Sequence, residues 1–401
     1  MPRSELRRTE GAGQRVTALE LFYDLVFVFA VTQVSHHLLG DLTWAGAGQS
    51  LVLLLVIWWS WNYTAWVTNE LDPDSPVVRV LMIALMLASL MTAVAIPDAF
   101  GDDALLFAAS YVALQVGRHA FLTFAAAERG TLERARAGRI LVWFLAAGVF
   151  WISGALADGA LRTALWLVAL AVDYGAPLAL YRVPGLPRLG EDAWHVGTAH
   201  FSERFGLFII IALGESIVVT GTATADADLT AATVAAFGCA FLATAALWWL
   251  YFTYVARIAE RRLELAPNRT RIARDAYTYL HVVFVAGIIV SAVGDELVIA
   301  HPTEPLEGVE VAAVVAGPAI YLLAHALFRL RLAGTISWRR LAGALACAVV
   351  GVAAAEADGL VVAVLLLAVL LAVIAVDELA AARRARRGET SPLERLEEPA
   401  G

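Results

Sequence analysis

The sequence predicts an all-α, polytopic membrane protein of about twelve transmembrane helices. Three observations predict it. Of 401 residues, 60% are hydrophobic and only 16% are charged, with a mean hydropathy of +0.72, whereas a soluble domain carries about 25% charged residues. Apolar runs recur at the length of about 20 residues that a helix needs to cross roughly 30 Å of hydrocarbon. The arginines, finally, fall on alternate sides of those runs.

The runs are expected near 19–39, 46–68, 77–97, 104–126, 138–157, 160–182, 203–222, 229–256, 275–299, 309–330, 338–355 and 358–379. The eleventh is short, stops before Glu356 and Asp358, and could dip into the membrane without crossing it. All 29 basic residues are Arg. Every one except Arg118, deep inside a run, and Arg162, at an opposite end, lies in a terminal tail, on every second connection or within a few residues of one. Short cytoplasmic segments carry the Arg excess, so both ends are expected in the cytoplasm. A wrong helix count would scramble this alternation.

Residues 1–18 and 380–401 are expected as cytoplasmic tails, the second polar and disordered from Arg383 onward. The Arg-rich start has no small-residue cleavage site after a short apolar core, so it does not read as a signal peptide. Cys239 and Cys347 sit inside apolar runs, without metal-ligand spacing or a setting for a disulfide. A net charge of −8, with no concentrated basic surface, argues against a nucleic-acid partner.

Internal similarity divides the chain. Glu20-Leu-Phe-Tyr-Asp24 opens the first run and Glu203-Arg-Phe-Gly-Leu207 the seventh. Trp58-Trp59 in the second matches Trp248-Trp249 in the eighth, and Asp98 near the end of the third matches Asp295 in the ninth. Tyr111 with Gln115 matches Tyr321 with His325, and Asp173 matches Asp377. The separations are nearly constant. They predict two six-helix repeats, 19–182 and 203–379, joined by a cytoplasmic linker 183–202. Six is even, so the repeats are parallel and related by an axis along the membrane normal.

Ionisable groups inside a bilayer cost at least about 2.5–3.5 kcal/mol at the centre and mark functional candidates. Glu20 and Asp24 stand one turn apart on one face of the first run, with snorkelling or capping as the plain reading of Glu20 and a buried structural pair as that of Asp24. Glu215 follows Glu203 by twelve residues, about 18 Å along a helix, which places it near the midplane. Its plain reading is a protonated side chain in an interhelical hydrogen bond. Arg204 is three turns away, too far to pair with it, while Gly206 and Gly214 would let another helix approach. His200, Glu203 and Arg204 could form a metal half-site, but nothing completes a ligand set, so a structural cluster is expected. Arg118 is a candidate counter-ion for one of the acids. Asp173 lies toward the cytoplasmic end of its run. Asp295 and Glu296 are expected near the outer surface, His281 and His325 as buried hydrogen-bonders, and Trp58 to Trp66 as an interfacial belt.

Two segments carry a resemblance. Arg15-Val-Thr-Ala-Leu-Glu20-Leu-Phe-Tyr-Asp24, continuing to Gln33, and His200-Phe-Ser-Glu203-Arg204-Phe-Gly206, continuing to Glu215-Ser216, resemble the paired signatures of the bacterial low temperature requirement A family. The resemblance implies an integral membrane protein and marks Glu20, Asp24, Glu203, Arg204 and Glu215 as signature positions, without assigning a role to any. Phe22 to Thr32 is also similar to the first-helix signature of the lysosomal potassium channel family. Tyr23 and Leu25 stand where that signature has Ser and Gly, and Leu207 replaces the Asp in the second repeat.

No P-loop, dinucleotide fingerprint or nucleophile elbow is present, so neither an enzyme nor an ATP-driven pump is expected, and no cofactor or metal is called for. Three functions fit. The first is a proton- or cation-coupled secondary transporter in the plasma membrane of a bacterium, with Glu215 as the coupling carboxylate, Asp24 on the approach, and Glu20, Glu203, Arg204, Arg118 and Asp173 along the pathway. The second is an ion channel lined by the first and seventh helices and gated by residues such as Phe27 and Ile210. The third is a membrane sensor or scaffold for growth in the cold. Membrane lipid and a small ion or molecule are the expected partners.

Overall fold

The computed structural model describes residue 6 and residues 15–194, 196–354 and 356–397. Most of the expected N-terminal tail and the last four residues of the C-terminal one lie outside the described residues. A helix occupies each of the twelve expected runs: α1 (Ala18–Gly40), α2 (Trp44–Thr68), α3 (Pro76–Val94), α4 (Ala104–Phe121), α5 (Leu132–Ala155), α6 (Gly159–Leu178), α7 (Thr198–Asp226) and α8 (Ala231–Tyr254) come first. A short α9 (Ala256–Glu264) follows, and α10 (Arg269–Ile272) runs through a π-helical stretch, Ala273–Leu280, into α11 (His281–Ala300). Then come α12 (Gly308–Ala333), α13 (Trp338–Ala353), α14 (Gly359–Arg386) and a final turn, α15 (Glu394–Glu397). Among the described residues there is no strand, and Pro305 and Asp358 form an isolated bridge.

Among the described residues, eleven helices are long and apolar enough to cross a membrane. The exception is α13, the run expected to be weakest. Its 16 residues rise about 24 Å at 1.5 Å each, short of a 30 Å hydrocarbon layer. The C-terminal tail departs from expectation: residues up to Arg386 prolong α14, and α15 adds another turn. An all-helical chain of this kind satisfies its backbone within each segment, as lipid demands. Leu87, Leu345 and Val352 are among the large apolar side chains left on the outside of the chain, where lipid tails can cover them.

Local chemistry sets the helix ends. Pro76 starts α3 behind Ser75, where a missing N–H costs nothing. The side chains of Thr131 and Thr230 accept the Arg134 and Thr233 amides at the starts of α5 and α8. Glu307 and Glu310 form a reciprocal capping box on α12, which ends at Gly334 with φ 65°.

The chain divides into two compact units. The first comprises the described residues up to His37 and Trp44–Arg204. Its centre is α2, most of which is buried. Trp58, Trp59 and Trp61 are at most 1% exposed, so they are core side chains and not the expected interfacial belt. Lipid is as apolar as a protein core, so packing and polar contacts hold such residues inside. Trp59 stacks on Tyr174, centroids 3.8 Å apart, and Trp61 finds an acceptor described below. After α6 the chain turns through Leu180 and Tyr181, both with φ near 50°, a left-handed pair costing about 1–3 kcal/mol per residue. The turn carries the Tyr181 hydroxyl into a hydrogen bond with that of Tyr63.

The second unit comprises Leu38–Thr43 and the chain from Phe205 onward. Close contact between α11 and α12 dominates it. A Cβ on Gly287 would lie 2.8 Å from the Tyr321 amide nitrogen, and one on Gly294 would lie 2.8 Å from the Val314 Cα. These small residues, and not the expected Gly206 and Gly214, bring backbones together. A Cβ on Gly206 would make only ordinary contact with Phe252, and one on Gly214 would meet nothing. Trp248 and Trp249 are 45% and 42% exposed, unlike the matching tryptophans of α2.

Candidate functional site

The site lies within the first unit, where α1 meets the opening turns of α7. On α1 the i,i+4 spacing puts Glu20 and Asp24 on one face, and both are buried. On α7, His200 and Arg204 repeat the same spacing. That helix begins at Thr198, ahead of the expected residue 203, so both lie inside it, and both are fully buried. The two pairs interlock. His200 Nε2 lies 2.8 Å from Glu20 Oε1, and Arg204 Nη2 donates to Asp24 Oδ1 at 2.7 Å. Arg204 Nη1 is 3.5 Å from Glu20 Oε1, so the guanidinium serves both acids.

Three further contacts fix the acids. Trp61 Nε1 donates to Asp24 Oδ1 at 2.8 Å, and the Arg204 guanidinium lies over the Trp61 ring, 5.7 Å from its centroid. The Thr17 amide and hydroxyl both donate to Glu20 Oε2 at 2.9 Å. Asp24 Oδ2, also buried, has no hydrogen-bond partner in the structure. Two carboxylates thus share one guanidinium and one imidazole in this group, and burial penalises any charge that its neighbours do not balance.

A second network adjoins this one through consecutive residues of α1. The Tyr23 hydroxyl lies 2.8 Å from Thr64 Oγ1, which accepts from Arg118 Nη1 at 2.8 Å. Arg118 also donates to the Ser60 carbonyl at 3.1 Å and closely to Gln115 Oε1, and it lies over the Tyr63 ring. No acid is among these partners, which corrects the expectation of Arg118 as a counter-ion: a carbonyl, a hydroxyl, an amide and an aromatic face hold it instead.

Asp173, on α6, stands apart with neutral donors. Tyr111 Oη and Trp151 Nε1 donate to its Oδ2 at 2.8 and 3.0 Å. Asp377, expected to match it, is instead held by Arg339 and Arg340. Glu203 is exposed, and its Oε2 accepts the Val16 amide at 3.2 Å, one residue before the Thr17 amide that Glu20 accepts. Glu215 and Ser216 are buried farther along α7. In the second unit, Tyr251 Oη and His281 Nε2 are 2.8 Å apart inside a cage of aromatic rings. Asp295 and Glu296 are half-buried and not openly solvated. Among the described residues, no group of three or more His, Cys, Asp or Glu side chains is arranged to hold a metal ion.

The structure thus gathers Glu20, Asp24 and Arg204 and leaves Glu203, Arg118, Asp173 and Glu215 in other settings. Sequence reasoning missed His200 as the partner of Glu20 and Trp61 as a donor to Asp24. The matched i,i+4 spacing of the two pairs was the available signal for His200. Nothing local marks Trp61 among its neighbours.

No solved structure matches the chain. A protein of Rhizobium meliloti (strain 1021), described as uncharacterized, is 36% identical over 297 residues, spanning 74% of this chain and 73% of the relative. The sequence model of the bacterial low temperature requirement A protein matches residues 15–375, a span that includes every residue of the α1–α7 cluster. The chain is a multi-pass helical membrane protein that belongs to the bacterial low temperature requirement A family.

Proposed function

We propose that this protein is a proton- or cation-coupled secondary transporter of the bacterial plasma membrane, with both ends in the cytoplasm. The observation that carries the reading is the buried group of Glu20, Asp24, His200 and Arg204. Its two acids share the Arg204 guanidinium with the His200 imidazole beside them, a set of groups able to take up and release a proton or small cation. A coupling site needs that property: binding the ion changes the energy of burying the group, and so biases one conformation over another. Glu215, buried on the same helix as Arg204, is a further carboxylate of the pathway. Ionisable residues inside membrane helices commonly serve ion and proton pathways, which fits both assignments.

Of the two residues expected to gate a channel, Phe27 is buried and Ile210 is 46% exposed, which favours the carrier. The test is ion flux into liposomes holding the purified protein, under imposed H⁺, Na⁺ and K⁺ gradients. Flux in the wild type that Asp24→Asn or Glu215→Gln abolishes supports the transporter. Unitary currents that survive both substitutions would make it a channel, and no flux from folded protein under any gradient would leave a sensing or scaffolding role.

A further inference from the structure

The second unit holds a cavity of about 730 Å³ where the C-terminal ends of α8, α12 and α14 meet the start of α13. Its charge is one-sided. Arg339 and Arg340, from the first turn of α13, line it together with Asp377 of α14. Arg262 and Arg329 add charge from α9 and α12, and Arg384 and Arg395 add it from the end of the chain. Six guanidinium groups thus face one carboxylate, in a chain whose net charge is −8.

Two buried side chains on this wall have unused hydrogen-bonding capacity. Arg340 is 6% exposed. Its Nη2 pairs with Asp377 at 2.8 Å, while its buried Nη1 has no partner in the structure. His325 is 3% exposed, and neither ring nitrogen has a hydrogen-bond partner. Buried donors seldom stay unsatisfied without a reason. Planar guanidinium forks match phosphate oxygens in bidentate geometry. The volume lies within the range of small-molecule sites, about 300–1,000 Å³.

We propose that this cavity binds a phosphate-bearing anion, with Arg340 as the buried anchor and Arg384 and Arg395 closing over it. The ligand chemistry is common to a soluble phosphorylated molecule and to the headgroup of an anionic phospholipid. The proposal does not depend on the transport reading, since none of these residues belongs to the α1–α7 cluster.

The test is the thermal unfolding midpoint of the full chain in a neutral detergent, titrated separately with pyrophosphate, ATP and phosphatidylglycerol, and with phosphatidylcholine as control. At least one phosphate-bearing anion is expected to raise the midpoint in a saturable way, and high salt to weaken the effect. A response to pyrophosphate or ATP identifies a soluble ligand; a response to phosphatidylglycerol alone identifies a headgroup. Arg340→Gln is expected to weaken binding about tenfold or more, equivalent to roughly 1.4 kcal/mol. The variant carrying Arg384→Gln at a half-buried position and Arg395→Gln at an exposed one carries the test should Arg340→Gln not fold. The proposal is overturned if no anion shifts the midpoint, or if the shift is the same in the wild type and the Arg384→Gln, Arg395→Gln variant.

Discussion

Arg204 donates to Asp24 across 2.7 Å, joining α7 to α1 through two residues 180 positions apart in the chain. Both are buried, and Arg204 also serves Glu20. Losing one member of a buried ion pair strands the other, at about 3–5 kcal/mol. Arg204→Met should therefore lower the thermal midpoint of the purified protein sharply. Arg204→Met combined with Asp24→Asn should recover part of the loss. Additive effects of the two substitutions would show that the contact carries no coupling energy.

Trp61→Phe keeps an aromatic ring under the Arg204 guanidinium but removes the N–H that reaches Asp24. Hydrogen bonds to charged groups contribute roughly 1.5–3 kcal/mol. A midpoint reduced by that order is expected, with a smaller reduction for Trp248→Phe, whose side chain is 45% exposed. Equal responses would mean that ring packing, not the hydrogen bond, accounts for the effect.

Between α11 and α12 the backbones are too close for larger residues. Gly287→Ala would put a methyl 2.8 Å from the Tyr321 nitrogen. Overpacking of this kind costs about 1–3 kcal/mol. Gly214→Ala, where nothing lies within 4 Å of the added carbon, should be neutral or slightly stabilising, because alanine is the better helix former. Unfolding midpoints of the two variants side by side decide the matter.

The short helix α13 makes topology testable. If it crosses, there are twelve crossings and both ends face the cytoplasm; if it dips in and returns, the ends face opposite sides. Reporter fusions at each terminus should give cytoplasmic signals for both. A C-terminal reporter active only outside would remove α13 from the crossings.

The helices were legible in the sequence because lipid imposes one rule on all of them: about twenty apolar residues and a fully satisfied backbone. Even the exception could be read, since the run after Ser337 is short and acidic residues follow it. The site was legible in part. Glu20 and Asp24 stand out as acids in an apolar run, and Arg204 belongs to the resemblance. Their meeting was not legible, because the start of α7 at Thr198 precedes its apolar run, so His200 fell outside the expected helix and Arg204 only at its edge. Trp58, Trp59 and Trp61 were misread for a related reason: aromatic residues near the end of a span fit an interfacial belt as well as a core, and only packing separates the two. Gly214 shows the limit of small-residue patterns, which permit a close approach without requiring one.

The central claim is that the acids of this protein carry a translocated ion. The measurement that tests it most directly is proton entry into liposomes, followed with an internal pH-sensitive dye, for the wild type, Asp24→Asn and Glu215→Gln, each shown to be folded and monodisperse. The account predicts gradient-driven entry in the wild type, or the same with Na⁺ or K⁺ as the driving ion, and its loss in both variants. Wild-type flux that both variants retain in full would contradict it.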